Sequence, residues 1–251
     1  MILVRSLLFT TLFFLTVIPY AIAVATTGLF SKSLPFLTAR AWARTNLWLA
    51  KVLCDIDYEL EGRENIPDTN GILYVKHQSA YEILVGANEF PHQCWVLKRE
   101  LMWVPFLGWG LKFLHPIAIN RSSGGRAVRQ VVRQGRDRIR DGLWIVIYPE
   151  GTRVAPGKTR RYGRSGPALA KDCGCLILPV AHNAGDYWPR RSWRKYPGTV
   201  KVVIGPVIDP AGRSPEEINQ LAQSWVEGTM RRISPEAYGI DPVSEDALGQ
   251  A

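Results

Sequence analysis

A chain of 251 residues, 47% apolar and 21% charged, is long enough for one domain with a sizeable core and too apolar to be disordered. A mean hydropathy of −0.04 excludes a polytopic membrane protein. With 31 Lys and Arg against 22 Asp and Glu, the net charge of +9 points to an anionic partner: nucleic acid, a phospholipid surface or a phosphorylated small molecule.

Between Arg5 and Lys32 lie 26 consecutive uncharged residues, rich in Leu, Phe, Ile, Val and Ala. At the helical rise this stretch reaches across a hydrocarbon core of roughly 30 Å. Pro19 makes a kinked span or a re-entrant hairpin as suitable as a straight helix. A secretory signal peptide is the competing reading, with Arg5 at its start, Leu7–Ile18 as the apolar stretch and Ala21-Ile22-Ala23 as the cleavage site. Against it, the apolar run continues to Leu29 and Phe30, and Lys32, Arg40, Arg44 and Lys51 follow. That asymmetry places the body of the protein in the cytoplasm. The segment 34–53 mixes Leu37, Ala41 and Leu47 with Arg40, Arg44 and Lys51, and carries Trp42 and Trp48. It reads as an amphipathic helix, lying in a membrane interface or packed on the domain core. Cys54, Cys94 and the close pair Cys173 and Cys175 fit neither a disulfide framework nor a zinc site.

From Tyr58 onward, β-branched runs alternate with helical patterns. Strands are expected at 58–61, 72–76, 94–98, 115–119, 144–148, 176–181 and 200–204, and helices at 80–88, 105–112, 126–140, 166–172 and 215–233. Such alternation predicts an α/β domain built on a central, mostly buried mixed sheet flanked by helices. In the helix over 126–140, Val128, Val131, Val132 and Ile139 line one face, and Arg129, Arg133, Arg136 and Arg140 another. This basic face suits solvent, an anionic membrane or nucleic acid. The chain thus divides into an N-terminal apolar anchor with its amphipathic helix (1–53), an α/β domain (54–233) and a polar tail (234–251) carrying Glu236, Asp241, Glu245 and Asp246.

Four blocks carry chemistry, each where a strand ends. In Lys76-His77-Gln78-Ser79-Ala80-Tyr81-Glu82, a strand delivers His77 to a turn and a helix carries Glu82 in its first turn. A carboxylate so placed fixes the imidazole tautomer and stabilises the imidazolium. Ser79 lies on the same corner without a nucleophile elbow around it, which favours a base acting directly on a substrate hydroxyl. The second block runs from Lys98-Arg99-Glu100-Leu101 through Pro105-Phe106-Leu107-Gly108-Trp109 to Ile119-Asn120-Arg121, with a cation at each of two strand ends. In the third, Tyr148-Pro149-Glu150-Gly151-Thr152-Arg153, Gly151 allows a tight turn and Glu150 braces Arg153, whose fork suits a phosphate. The fourth, Leu176-Ile177-Leu178-Pro179-Val180-Ala181-His182-Asn183, is apolar and suits core packing or the lining of an acyl channel. His92, His115 and His182 lack metal-ligand spacing, and no metal site is expected.

These four ordered motifs resemble those of the glycerolipid acyltransferases, and within them the bacterial 1-acyl-sn-glycerol-3-phosphate acyltransferases. The likeness covers residues 58–206, and an N-terminal membrane-binding helical segment is expected with it. It implies a catalytic pair at His77 and Glu82, and acceptor-phosphate binding at Arg121, Glu150, Gly151, Thr152 and Arg153, with Lys98 joining them. Two positions depart from the family pattern: Glu82 stands where Asp is usual, and Lys76 where Asn is usual. The extra methylene of Glu82 requires a shift of the helix start to keep the His77 contact. A Lys76 ammonium beside His77 would lower the imidazole pKa unless it points away.

The resemblance implies transfer of a fatty acyl group from acyl-CoA or acyl carrier protein to the sn-2 hydroxyl of lysophosphatidic acid, giving phosphatidic acid. No cofactor beyond the acyl donor is implied. The expected place is the cytoplasmic side of a bacterial inner membrane, against anionic phospholipid. Rival readings are another lyso-lipid acceptor such as a lyso-ornithine lipid, a membrane-tethered nucleic-acid binder using residues 126–140 and 158–164, and a secreted serine hydrolase using Ser79.

Overall fold

The computed structural model describes residues 1–90 and 92–240. Its elements in chain order are α1 (Ile2–Gly28), α2 (Leu34–Cys54), β1 (Ile56–Glu61), β2 (Ile72–Val75), α3 (Tyr81–Glu89), β3 (Gln93–Lys98), α4 (Leu107–Lys112), β4 (Ile117–Ile119), α5 (Gly125–Arg140), β5 (Trp144–Ile147), α6 (Ser165–Cys173), β6 (Ile177–His182), α7 (Ala184–Tyr187), β7 (Gly198–Ile204) and α8 (Pro215–Ile233). Asp241, Glu245 and Asp246 of the expected tail lie outside the described residues; Pro235–Tyr238 form a 3-10 turn.

The sheet is mixed, as expected, in the order β1-β7-β6-β2-β5-β3-β4. All neighbours pair in parallel except β6 and β7. Every residue of β2, β5 and β6 is buried, which is why these strands read as near-continuous apolar runs rather than alternating ones. Because side chains alternate across the sheet, two cores form. Leu73, Val75, Val146 and Val180 face α2 and α3, together with Leu47 and Leu84. Ile72, Tyr74, Ile145 and Ile177 pack on the other face with Val131, Leu169 and Val226 of α5, α6 and α8. Since β2 to β6 run the same way, all five carboxyl ends lie on one edge, where open α/β sheets place their sites.

The apolar N-terminal segment is a single helix through Pro19, and it turns back at Leu29–Ser33 into α2. Polar groups lock this antiparallel hairpin. The Asn46 amide donates to the Thr16 hydroxyl at 3.2 Å, the Trp42 indole to the same oxygen at 3.2 Å, and Tyr20 meets Thr45 at 2.8 Å. The Arg5 guanidinium donates to the Leu53 and Val52 carbonyls at the end of α2, where a helix favours a cation. Ser6 is fully buried and accepts from the Lys195 amide at 2.9 Å, while Phe9 packs edge-on against Trp188 at 5.2 Å. Cleavage after Ala23 would remove all of these contacts, so α1 is built into the fold. Most of its apolar surface nevertheless stays exposed, including Phe14 and Leu15. Of the two readings of residues 34–53, the helix packed on the core describes α2: Ala43, Leu47 and Ala50 are buried, while Leu37 and Trp48 remain exposed.

Two expectations need correction. His115 is not in a strand; it has φ of +50° and precedes Pro116, which has no N–H for a ladder, so β4 begins at Ile117. The four-residue helix α7 was not expected, because the apolar pattern of β6 masks the turn at Asn183.

Candidate active site

The edge formed by the carboxyl ends of β2, β3, β4, β5 and β6 gathers the predicted residues. His77 leaves β2 with its ring stacked on Tyr148 at the end of β5, 4.0 Å between centroids and 22° between planes. Its carbonyl accepts from the Val154 amide at 2.7 Å, so the third block is strapped to the first. Glu82, one residue inside α3, reaches His77 Nδ1 with Oε1 at 2.8 Å. Both its oxygens also accept from the Ser79 amide, at 3.1 and 3.0 Å. Glu therefore keeps the contact that its extra methylene put in question. Burial alone would raise the Glu82 carboxyl, but His182, His77 and a backbone donor outweigh it and hold the group below the usual carboxylate range. With Nδ1 committed, Nε2 is the basic nitrogen left to the substrate.

Ser79 is not available as a nucleophile: its hydroxyl donates to the Trp188 carbonyl at 2.7 Å and accepts from the Tyr81 amide. This geometry removes the basis of the serine-hydrolase reading. His182, at the end of β6, belongs to the same site and was missed from sequence. It is buried, accepts at Nδ1 from the Ala184 amide at 3.2 Å and bonds the Lys76 carbonyl through Nε2 at 2.7 Å. These partners fix the tautomer with the proton on Nε2, and burial pushes its pKa down. Its one visible signal was its place at a strand end among the four blocks. Tyr148 was legible only as part of its motif, not as a stacking partner. An apolar cavity lies beneath Glu82 and His182, lined among others by Leu73, Val85, Val146 and Val180. The fourth block contributes to it and to the core at once.

Gly151 has φ of +67° and its amide donates to the Tyr148 carbonyl at 3.0 Å, a tight turn that only glycine adopts without strain. Arg121 crosses from the end of β4 and donates to the Gly151 carbonyl at 2.5 Å. Thr152 and Arg153 follow, both half-buried. The Arg153 guanidinium has no carboxylate partner among the described residues, so its fork is open to an external anion. Lys98 lies opposite Ile119 in the register, one strand end from Arg121, but its ammonium is exposed and paired with Glu100 at 3.5 Å. It stands at the rim of the group formed by the others.

Glu150 requires a correction. It does not brace Arg153: its side chain is fully buried on the opposite face of the sheet, 3.3 Å from Lys76 Nζ. Lys76 points there too and meets Glu227 of α8 at 2.6 Å, away from His77. Lys76 and His77 are consecutive and diverge to opposite faces, whereas Glu150 lies beyond β5 in the turn after Pro149, and that turn rather than strand alternation carries its side chain across to the α8 face. Among the described residues no group of His, Cys, Asp and Glu could hold a metal ion.

A buried His–Glu pair and an arginine-bearing turn thus meet at the carboxyl edge of an α/β sheet, where open α/β sheets place their sites. The family model described as Acyltransferase matches residues 57–183, and the chain belongs to that family. It is 43% identical over 235 residues to the 1-acyl-sn-glycerol-3-phosphate acyltransferase of Pseudomonas aeruginosa, covering 90% of this chain and 91% of that one. It is 31% identical over 179 residues to the protein of the same name from Borreliella burgdorferi, 70% of each chain. The crystal structure of the 1-acyl-sn-glycerophosphate (LPA) acyltransferase PlsC from Thermotoga maritima shares the fold, with a TM-score of 0.77 over 92% of this chain and 95% of that one at 23% identity.

Replacement of Glu82 tests the pair. Glu82→Gln must turn an amide N–H toward either His77 Nδ1–H or the Ser79 amide, because the carboxylate accepts from both. We expect kcat to fall about a hundredfold or more, whereas Glu82→Asp keeps an acceptor for both donors and stays within about tenfold. Steady-state rates of the purified variants decide, and full activity of the Gln variant would refute the orienting role.

Proposed function

We propose that the protein transfers a fatty acyl group from a thioester donor, acyl-CoA or acyl carrier protein, to the sn-2 hydroxyl of 1-acyl-sn-glycerol-3-phosphate, forming phosphatidic acid in phospholipid biosynthesis. The observation that carries this reading is the His77–Glu82 pair at 2.8 Å, next to the Gly151–Arg153 turn, whose guanidinium makes no ion pair among the described residues. His77 Nε2 takes the proton of the acceptor hydroxyl as that oxygen attacks the thioester carbonyl, and Glu82 keeps the ring oriented. Collapse of the tetrahedral adduct expels the thiolate, which takes the proton back from His77. Arg153 and Arg121 hold the acceptor phosphate, with Lys98 at the rim, and Gly151 and Thr152 shape the turn. Their contribution is proximity. The reaction so written needs no cofactor beyond the acyl donor.

The long apolar helix α1, with an exposed face and cations in the following segment, fits a membrane-held enzyme with its α/β body on the cytoplasmic side of a bacterial inner membrane. Nucleic acid has no part in this reading. On the basic helix α5, Arg136 pairs with Asp172 at 2.6 Å and Arg140 with Asp137, so part of its charge is neutralised within the chain.

A panel of lyso-acceptors offered with a radiolabelled acyl thioester tests the proposal. Lysophosphatidic acid is expected to be acylated at least about tenfold more efficiently than a lyso-lipid lacking a phosphate monoester, because the Arg153 fork is otherwise left without the phosphate it is proposed to hold. Preference for a phosphate-free acceptor such as a lyso-ornithine lipid would overturn it.

A further inference from the structure

Behind the site, on the sheet face that carries α8, three buried ionisable side chains meet. Lys76 is wholly buried, and its ammonium lies 2.6 Å from Glu227 Oε1, 3.3 Å from Glu150 Oε1 and 3.3 Å from the Lys158 carbonyl. Among the described residues neither Glu150 carboxylate oxygen has a well-formed hydrogen bond, and its contact with Lys76 is chiefly ionic. Glu227 accepts in addition from the Tyr162 and Tyr238 hydroxyls, each at 3.3 Å. The balance is one cation against two carboxylates.

The position of this cluster in the chain gives it a consequence for catalysis. Lys76 is the residue before His77, and Glu150 the residue before Gly151. The ion pair therefore joins the first and third blocks on one face of the sheet, as the His77–Tyr148 stack joins them on the other. Glu227, 151 residues away in sequence from Lys76, ties both to the last long helix.

We infer that Lys76 and Glu227 are positioning residues: their ion pair holds the Glu150 carboxylate, and through it the spacing between the His77 corner and the Gly151–Arg153 turn that receives the acceptor phosphate. This rests on the acceptor reading given above. The groups that face Glu150 are Lys76 and Tyr74 from β2 and its end, Glu227 from α8, Tyr162 from the loop before α6 and Tyr238 from the following turn. Burial raises the Glu150 carboxyl to about 7; Lys76 opposes that rise and Glu227 adds to it. Proton uptake by Glu150 near neutrality removes the attraction that holds the turn, so acceptor binding weakens as pH falls through this range.

The test uses the full-length protein with lysophosphatidic acid and an acyl thioester between pH 5.5 and 9. Lys76→Met is expected to raise the acceptor KM about tenfold while the donor KM stays within about twofold. The pH midpoint of acceptor kcat/KM is expected to move down by about one unit in Glu227→Gln, which removes the neighbouring carboxylate, and up in Lys76→Met, which removes the cation. The acceptor's own phosphate titrates identically in every variant, so only differences between variants count. A purely structural role would loosen both variants alike and would not drive the midpoints apart. If Lys76→Met does not fold, Glu227→Gln, which keeps side-chain size and an acceptor oxygen, decides by itself. Unchanged acceptor KM and coincident midpoints, or midpoints moving together, would overturn the inference.

Failure of the wild-type protein to use lysophosphatidic acid would refute the acceptor instead, and the cluster is then read through the pH dependence of the thermal midpoint. Glu150, with its pKa raised on folding, contributes stability that is fully present below the ordinary carboxylate range and lost as pH rises through about 7. The upper end of that loss must still shift in opposite directions in the two variants, and its failure to do so overturns the inference.

Discussion

His77→Ala is expected to abolish measurable acyl transfer, a loss of about 10²–10⁴ in kcat, while leaving lysophospholipid binding within about twofold. The size of the effect follows from how completely the structure dedicates the ring. Nδ1 is held by Glu82 at 2.8 Å, one face lies on Tyr148, and the backbone carbonyl is fixed by the Val154 amide. Nothing else in the site can replace it as a base. Ser79 is committed to Trp188, and His182 has both ring nitrogens engaged by the backbone. The imidazole carries none of the phosphate contacts assigned to Arg121 and Arg153, so binding survives its removal. Initial rates of thiol release, with equilibrium binding of the lysophospholipid measured alongside, separate the two quantities. Turnover near wild type would refute the base assignment, and loss of binding together with turnover would show that the corner had collapsed.

The second large effect falls on substrate capture. Arg153→Ala is expected to lower acceptor kcat/KM by about 10–10², the value of one or two charge-assisted hydrogen bonds to a phosphate. The donor KM should change little. Arg153→Lys keeps a charge without the planar fork and is expected to fall between Ala and wild type. The prediction is specific to Arg153 because its guanidinium makes no ion pair among the described residues. Arg121, by contrast, already donates to the Gly151 carbonyl, so Arg121→Ala both removes a cation and loosens the turn. Acceptor kinetics unchanged in Arg153→Ala would remove this residue from the phosphate site.

Several features of this protein were determined by the sequence alone. The wholly buried strands β2, β5 and β6 read as apolar runs, and the seven strands together with the helices of the α/β body were legible within a few residues, as was the α/β class. A five-residue spacing across a strand-to-helix corner sufficed to pair His77 with Glu82, because that contact is local. The positive φ of the turn at Gly151 was likewise foreshadowed by its glycine.

The tertiary structure decided everything that depends on which face a side chain takes or which distant segment meets it. Local order in Glu150-Gly151-Thr152-Arg153 suggests an acid bracing an arginine, yet Glu150 turns into the core to meet Lys76 instead. Lys76 looked like a disturbance next to His77, but consecutive residues at a strand end diverge, and its partner Glu227 lies on a helix near the other end of the chain. His182 and Tyr148 enter the site only because β6 and β5 flank β2 in the sheet, an order that no local pattern encodes. Pairing across the sheet and between distant helices is set by global packing, whereas corners and turns are set by the few residues that form them.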